Sequence, residues 1–240
     1  MQSENLTTKA PPPIVLNEVI PWGRSLEEYR RMFALTDDDL DRRLLGCGDG
    51  PASFNAELTA QSKRVISIDP VYEFSREEIR QRFDDVYTQM VEAARDNRDK
   101  FNWDIIHSPD EMGHRRRNAL NRFLDDYDVG KQQGRYLNET LPDLSFADRQ
   151  FDLVLCSHLL FTYSHLLDAS FHLHAAIEML RVANEVRIFP LLTLNGRPSS
   201  HVEFLQRELT KYKISFEIIE VDYEFQVGGN QMLRLRYHAS

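Results

Sequence analysis

The sequence predicts an α/β fold, a mostly parallel seven-stranded sheet that ends in an antiparallel β-hairpin and carries helices on both faces. Short apolar runs alternate with helical segments along most of the chain, which is the pattern of βαβ units. Two of these runs, 151–157 and 185–192, are almost wholly apolar, as expected for strands covered on both faces. The last two strand-like runs flank Val227-Gly228-Gly229, which indicates a hairpin.

Seven segments are predicted as strands, because they are short, rich in apolar residues and bounded by turn residues. They are RRLLG (42–46), RVISID (64–69), GRYLNET (134–140), FDLVLCS (151–157), EVRIFPLL (185–192), SFEIIEVDYEF (215–225) and NQMLRLRY (230–237). Ligands of such folds bind at the carboxyl ends of the parallel strands. Residues 46–50, 69, 140, 157–158 and those after 190 are therefore expected at one edge of the sheet.

Four helices are predicted to begin at a capping box, in which a serine and a glutamate three residues later satisfy the first amide groups. The boxes are Ser25–Glu28, Ser75–Glu78, Ser108–Glu111 and Ser200–Glu203. The second and third open a helical insertion, predicted over 75–130 between strands two and three. This insertion is interpreted either as a bundle packed over the sheet edge or as a cap that shapes a pocket.

Composition and the chain ends predict one globular domain in a reducing compartment. Residues 1–20, with three consecutive prolines, are predicted as a flexible leader, and residues 21–240 as a single domain. The absence of a signal peptide and the presence of only two cysteines favour a cytoplasmic protein. No apolar run is long enough to span a membrane, and a net charge of -9 disfavours a nucleic-acid partner.

The stretch LLGCGDGPASF (44–54) places three glycines between a strand and a helix. Without Cβ atoms, such a turn lets a ligand approach the backbone closely. Asp69 ends the second strand, where an acidic residue accepts hydrogen bonds from ribose hydroxyls. NAD and other adenosine cofactors fit these features equally well. A dinucleotide fingerprint has the spacing GxGxxG, whereas this turn has GxGxG followed by Pro51.

With these motifs, the sequence resembles the class I S-adenosylmethionine-dependent methyltransferases, especially the branch that acts on small molecules. The motifs that carry the resemblance are LLGCGDGPASF, VISIDP and LSFADRQFDLVLCSHLLF. The ends PWGRSLEEY and GGNQMLR also resemble a group of uncharacterised bacterial methyltransferases. The resemblance implies a Rossmann-like sheet, S-adenosylmethionine as cofactor and a small-molecule methyl acceptor.

The cofactor residues that the resemblance implies lie in the glycine turn and after strands two, three and four. They are Gly46, Cys47, Gly48, Gly50, Asp69, Pro70, Thr140, Leu141 and Ser157. The family usually has an acidic residue near the adenine amino group, where this chain has Thr140, and Glu139 is a substitute in a shifted register.

His158, at the end of strand four, is the candidate general base for a hydroxyl or acidic-carbon acceptor. The alternative is a structural histidine bonded to the backbone. A lid helix is predicted over 25–35. Further candidates for binding the acceptor or covering the cofactor are Trp22, Arg24, Tyr29, Tyr163, Asn195 and Arg197.

Two other functions remain open from the sequence. One is a catalytically silent module that binds S-adenosylmethionine, favoured by Thr140 and by the absence of a decisive catalytic motif. The other is an NAD(P)-dependent oxidoreductase, against which the missing third glycine and the closing hairpin count. The segment HRRRNALNR (114–122) is predicted as a solvated helix face, and the histidines show no metal-ligand spacing.

Overall fold

A computed structural model describes residue 16 and residues 18–237. Residues 1–15, 17 and 238–240 lie outside the described residues, and with them most of the predicted leader. No helix within the described ranges is long and apolar enough to cross a bilayer.

The strands form one sheet, which has seven members within residues 18–237. They are β1 (Leu44–Cys47), β2 (Val65–Ile68), β3 (Tyr136–Leu137), β4 (Leu153–Ser157), β5 (Glu185–Phe189), β6 (Ile214–Glu220) and β7 (Gln231–Tyr237). Their order is β3-β2-β1-β4-β5-β7-β6. The first five strands pair in parallel, whereas β7 is antiparallel to both β5 and β6.

Helices connect the strands and cover both faces. They are α1 (Leu26–Met32), α2 (Asp37–Leu40), α3 (Phe54–Ala60), α4 (Arg76–Asp96), α5 (Pro109–Gln132), α6 (Ala169–Val182) and α7 (His201–Thr210). Short 3-10 turns span Pro70–Glu73 and Arg98–Lys100. Helices α4 and α5 form the predicted insertion between β2 and β3; they pack against each other, and α5 also packs against α3.

Side chains alternate between the two faces of the central strands, as the strand geometry requires. Leu45 and Cys47 belong to the core cluster under α6 and α7. Leu44, their neighbour in β1, belongs to the cluster under α1 and α3. The predicted fold class, a mostly parallel Rossmann-like sheet closed by an antiparallel hairpin, is therefore confirmed.

Two helix boundaries differ from the prediction. Ser200 does not cap α7, because its own backbone is helical and its side chain makes no capping bond; the Ser199 hydroxyl instead accepts from the His201 amide at 3.2 Å. Helix α5 continues past Gly130 to Gln132, so the glycine does not end it.

Candidate functional site

The glycine turn begins where β1 ends, at the carboxyl edge of the sheet. Gly48 and Gly50 have φ angles of +67° and +54°, a region that glycine adopts at little cost. The side chain of Leu159 packs directly against Gly48, where a Cβ atom would lie 2.7 Å from a Leu159 methyl carbon. The turn thus brings bare backbone to the ligand edge that parallel sheets use.

Asp69, at the end of β2, is bound to this turn. Its Oδ2 accepts from the Gly50 amide and its Oδ1 from the Val71 amide, both at 2.8 Å. Burial raises the pKa of Asp69 to about 6, although these two hydrogen bonds act in the opposite direction. The Asp69 carboxylate therefore connects the ends of β1 and β2.

A second carboxylate, Asp49, lies inside the turn itself. Its Oδ1 accepts from the Tyr29 hydroxyl at 2.7 Å and its Oδ2 from the Ser67 hydroxyl at 2.6 Å. Burial raises the pKa of Asp49 to about 7, with a smaller contribution from the charge of Asp69. This carboxyl group consequently titrates near neutral pH.

A cavity opens above the turn, with about 1100 Å³ of space not filled by atoms, including open solvent at its mouth. Among the residues singled out from the sequence, those that line it are Trp22, Arg24, Tyr29, Gly48, Gly50, Asp69, Ser157, His158 and Tyr163. The structure thus gathers residues that are far apart in the chain into one cavity.

One wall of the cavity is apolar and comes from the insertion. Met90 and Ala94 on α4, Met112 on α5 and Phe101 between the helices all line it. The Phe101 ring stacks on Phe225 of the β6–β7 loop, with ring centroids 4.9 Å apart. The insertion therefore forms part of the cavity, as the interpretation of it as a pocket-shaping cap requires.

Residues 18–24 lie across the cavity before α1 begins. The Ile20 amide donates to the Tyr163 hydroxyl at 3.2 Å, and the indole of Trp22 stacks on Phe83 with centroids 5.1 Å apart. Leu16 is buried, and its carbonyl oxygen lies 2.8 Å from Nε2 of His165. Within the segment predicted as a leader, residues 16 and 20 therefore make packing and hydrogen-bond contacts beside the cavity.

The guanidinium of Arg24 lies in the cavity wall. Its Nη1 donates to the carbonyl oxygen of Trp22 at 3.0 Å. Its buried Nε has no hydrogen-bond partner among the described residues. Burial and the positive charge of Arg116 lower the pKa of Arg24. Both therefore disfavour the charged form of the guanidinium.

Glu28 and Arg116 form a buried ion pair behind Arg24. Nη1 and Nη2 of Arg116 donate to the two carboxylate oxygens of Glu28 at 2.7 and 2.6 Å. The Tyr223 hydroxyl also donates to Glu28, at 2.8 Å. Burial opposes ionisation, but Arg116 and the charge of Arg24 together lower the pKa of Glu28 to about 2. The pair joins α1, α5 and the β6–β7 loop.

His158 follows β4 and lines the cavity in a left-handed backbone conformation, with φ +52°. Its amide donates to the Phe189 carbonyl at 2.7 Å, and its Nδ1 lies 3.0 Å from the Ser157 hydroxyl. Burial, followed by the charges of Arg24 and Arg116, lowers the pKa of His158 well below its usual value. The ring is therefore neutral and has a nitrogen lone pair.

Seven residues singled out from the sequence lie outside this cavity: Gly46, Cys47, Pro70, Thr140, Leu141, Asn195 and Arg197. A Cβ on Gly46 would overlap the Asp49 carboxylate at 1.8 Å, so this glycine accommodates Asp49. Cys47 faces the core under α6 and α7.

The turn after β3 also points away from the cavity. Leu141 is buried in the core, and the exposed Thr140 donates its hydroxyl to the Leu141 carbonyl at 3.2 Å. Pro70 is exposed at the start of a 3-10 turn, and Arg197 is exposed in the loop after β5.

Several residues in the cavity wall or packed near it were not anticipated from the sequence. Asp49 lies within the glycine turn that the sequence indicates. Its acidic side chain inside that turn was the signal that could have identified it as a site residue. Arg116 was predicted on a solvated helix face, yet only 1% of its side chain is exposed; its burial depends on Glu28, 88 positions away. Tyr223 and Phe225 were predicted in the sixth strand (215–225), but β6 ends at Glu220, so both lie in the β6–β7 loop.

Comparison with known proteins gives one close relative by sequence. No family model matches the chain. The uncharacterised protein MJ0045 of Methanocaldococcus jannaschii is 34% identical over 222 residues, which are 92% of this chain and 97% of that protein. The chain belongs to the same family as this archaeal protein.

Solved structures that are similar in fold include three methyltransferases. Magnesium protoporphyrin IX methyltransferase from Synechocystis PCC 6803 with bound SAM has a TM-score of 0.43 at 11% identity, over 84% of this chain and 73% of that one. A SAM-dependent methyltransferase from Aquifex aeolicus has a TM-score of 0.41 at 14% identity, over 88% and 87%. The methyltransferase domain of bacterial CtHen1-C has a TM-score of 0.47 at 13% identity, over 89% and 100%.

Proposed function

We propose that the protein is an S-adenosylmethionine-dependent methyltransferase that acts on a small molecule. The observation that carries the proposal is the junction of Gly50 with Asp69. A bare glycine turn and a carboxylate are hydrogen-bonded to each other at 2.8 Å, and both face a cavity at the carboxyl edge of the sheet. This arrangement suits an adenosine cofactor, whose ribose hydroxyls donate to a carboxylate.

The residues present fit the polar parts of S-adenosylmethionine. Asp69 is placed to accept from the ribose, and Gly50 leaves room beside the backbone. The buried Nε of Arg24 has no hydrogen-bond partner among the described residues. When bound, S-adenosylmethionine supplies an activated methyl group. The protein then has to orient the acceptor and exclude water, and residues 18–24 together with the apolar insertion wall cover the cavity in that way.

His158 is the proposed general base for an acceptor that must lose a proton. It lines the cavity, and burial together with the arginine charges keeps its pKa low, so the ring is neutral and can accept a proton. For such an acceptor, we expect His158→Gln to slow methyl transfer about a hundredfold while cofactor affinity is retained. Loss of affinity in step with the rate would return His158 to a structural role.

A silent binding module is the second candidate, because Thr140 and Leu141 face away from the cavity and Leu159 packs on Gly48.

Calorimetric titration with S-adenosylmethionine, S-adenosylhomocysteine and NADH distinguishes both of these candidates from an oxidoreductase. Binding of the first two and not of NADH supports the methyltransferase or the silent module. Methyl transfer to an acceptor panel then separates these two, and binding of NADH alone would overturn the proposal.

A further inference from the structure

Arg24 is a positive charge in the cavity wall that the described residues do not neutralise. Its Nη1 donates to the Trp22 carbonyl, and its Nε is buried without a hydrogen-bond partner among residues 18–237. A buried charge without a counter-ion is costly. The side chain nevertheless lines the cavity above the glycine turn.

The carboxylates nearby are already engaged. Both oxygens of Glu28 are bound by Arg116, and one also accepts from Tyr223. Asp49 and Asp69 use both of their oxygens within the glycine turn and its neighbours, and burial raises the pKa of each. The cluster of Arg24, Arg116 and Glu28 therefore contains two cations and one anion.

We infer that Arg24 binds the anionic group of a ligand and that this group is a carboxylate. The planar guanidinium presents its donors as a fork that matches the two oxygens of a carboxylate. An entering carboxylate neutralises the excess positive charge of the cluster. The apolar wall beside it, formed by Trp22, Met90 and Met112 among others, accepts the rest of the ligand.

Two ligands can supply this carboxylate, and the first rests on the proposed function. One is the amino-acid part of S-adenosylmethionine. The other is a methyl acceptor that is an acid with an apolar body. Both make the same contact, so probes that carry or lack each part are needed to separate them.

Binding of a carboxylate at Arg24 also affects the pKa of His158. The charge of Arg24 contributes to the lowered pKa of His158, after burial. A bound carboxylate that brings no cation of its own removes part of this repulsion and so acts to raise the pKa of His158.

The test is calorimetric titration of the wild-type protein and Arg24→Met with four probes. S-adenosylhomocysteine carries the amino-acid carboxylate and 5′-methylthioadenosine lacks it; benzoate is an apolar acid and benzamide its neutral counterpart. Arg207→Met, an exposed arginine on α7 paired with Glu208, is the matched control. Arg24→Gln serves as a second variant, and circular dichroism checks the fold of each.

We expect Arg24→Met to weaken one carboxylate probe by about 10- to 100-fold and its neutral partner by less than about twofold. Selective loss of S-adenosylhomocysteine assigns the contact to the methyl donor, and selective loss of benzoate assigns it to the acceptor. Unchanged affinity for both acids, or equal loss for acid and neutral probe, overturns the inference. If the wild-type protein binds neither adenosine probe, the proposed function fails. The role of Arg24 is then decided by the affinities for benzoate and benzamide alone.

Discussion

Asp69 holds the glycine turn through one carboxylate oxygen and the start of the following 3-10 turn through the other. In Asp69→Asn, an NH₂ group replaces one acceptor oxygen and cannot accept from an amide. We therefore expect the affinity for S-adenosylhomocysteine to fall about 10- to 100-fold, measured by calorimetry with the exposed Asp104→Asn as control. An unchanged affinity in a folded variant would remove Asp69 from the ligand site.

Asp49 makes the stability of the protein depend on pH near neutrality. Burial raises its pKa from the ordinary 3.8 to about 7, so between these values the folded protein holds a proton that the unfolded chain has released. The stability from this group is complete below pH 3.8 and is lost as the pH rises through 7.

Asp49→Asn removes this titration, because the amide can keep the bonds to Tyr29 and Ser67. Between about pH 5 and 8, we expect the stability difference between variant and wild type to move by about 2–3 kcal/mol in favour of the variant. Urea unfolding at both pH values measures it, with Asp104→Asn as the control. A difference that does not change with pH contradicts the titration of Asp49.

The pKa of His158 depends on the charges around the cavity. Since burial and two arginine charges lower its pKa, we expect its ring to be neutral at pH 6.5, where an ordinary histidine is half protonated. Arg24→Met removes one of these charges, and the midpoint should rise. Nitrogen chemical shifts of ¹⁵N-labelled histidine measure both; a wild-type midpoint near 6.5, the ordinary value, would contradict the account.

At the scale of elements, the ion pair of Glu28 with Arg116 joins helices α1 and α5. Arg116→Met leaves the Glu28 carboxylate buried and unpaired, so we expect a loss of about 3–5 kcal/mol of unfolding free energy. The double variant with Glu28→Gln should recover part of this loss, because position 28 then no longer carries a buried charge without its arginine partner. Arg122→Met, which breaks an exposed pair with Glu57, is the control and should cost less than about 1 kcal/mol. Similar losses in both single variants would contradict a role of the buried pair in joining the helices.

The elements themselves were predictable where the signal is local. The capping boxes at Ser25 and Ser75 are present as predicted, because the serine and glutamate that form each box are three residues apart. The orientation of Arg116 was not predictable from the run of three arginines. Neighbouring residues of a helix differ by about 100° in direction, and only the distant Glu28 decides which arginine is buried.

At the scale of the whole molecule, the alternation of apolar runs was sufficient to predict the sheet and its closing hairpin. The same reasoning brought the glycine turn, Asp69 and His158 to one edge, because parallel strands end together. The residues of the cavity walls could not be predicted in this way. Met90, Phe101 and Phe225 meet only through the packing of the insertion on the β6–β7 loop, and no local pattern encodes that contact.

The central claim is that the cavity above the glycine turn binds S-adenosylmethionine. The most direct measurement is an amide ¹H–¹⁵N spectrum of the protein titrated with S-adenosylhomocysteine. The account predicts that the largest shifts fall on Gly48, Gly50, Asp69 and His158. Shifts concentrated elsewhere, or no shifts at saturating ligand, would contradict it.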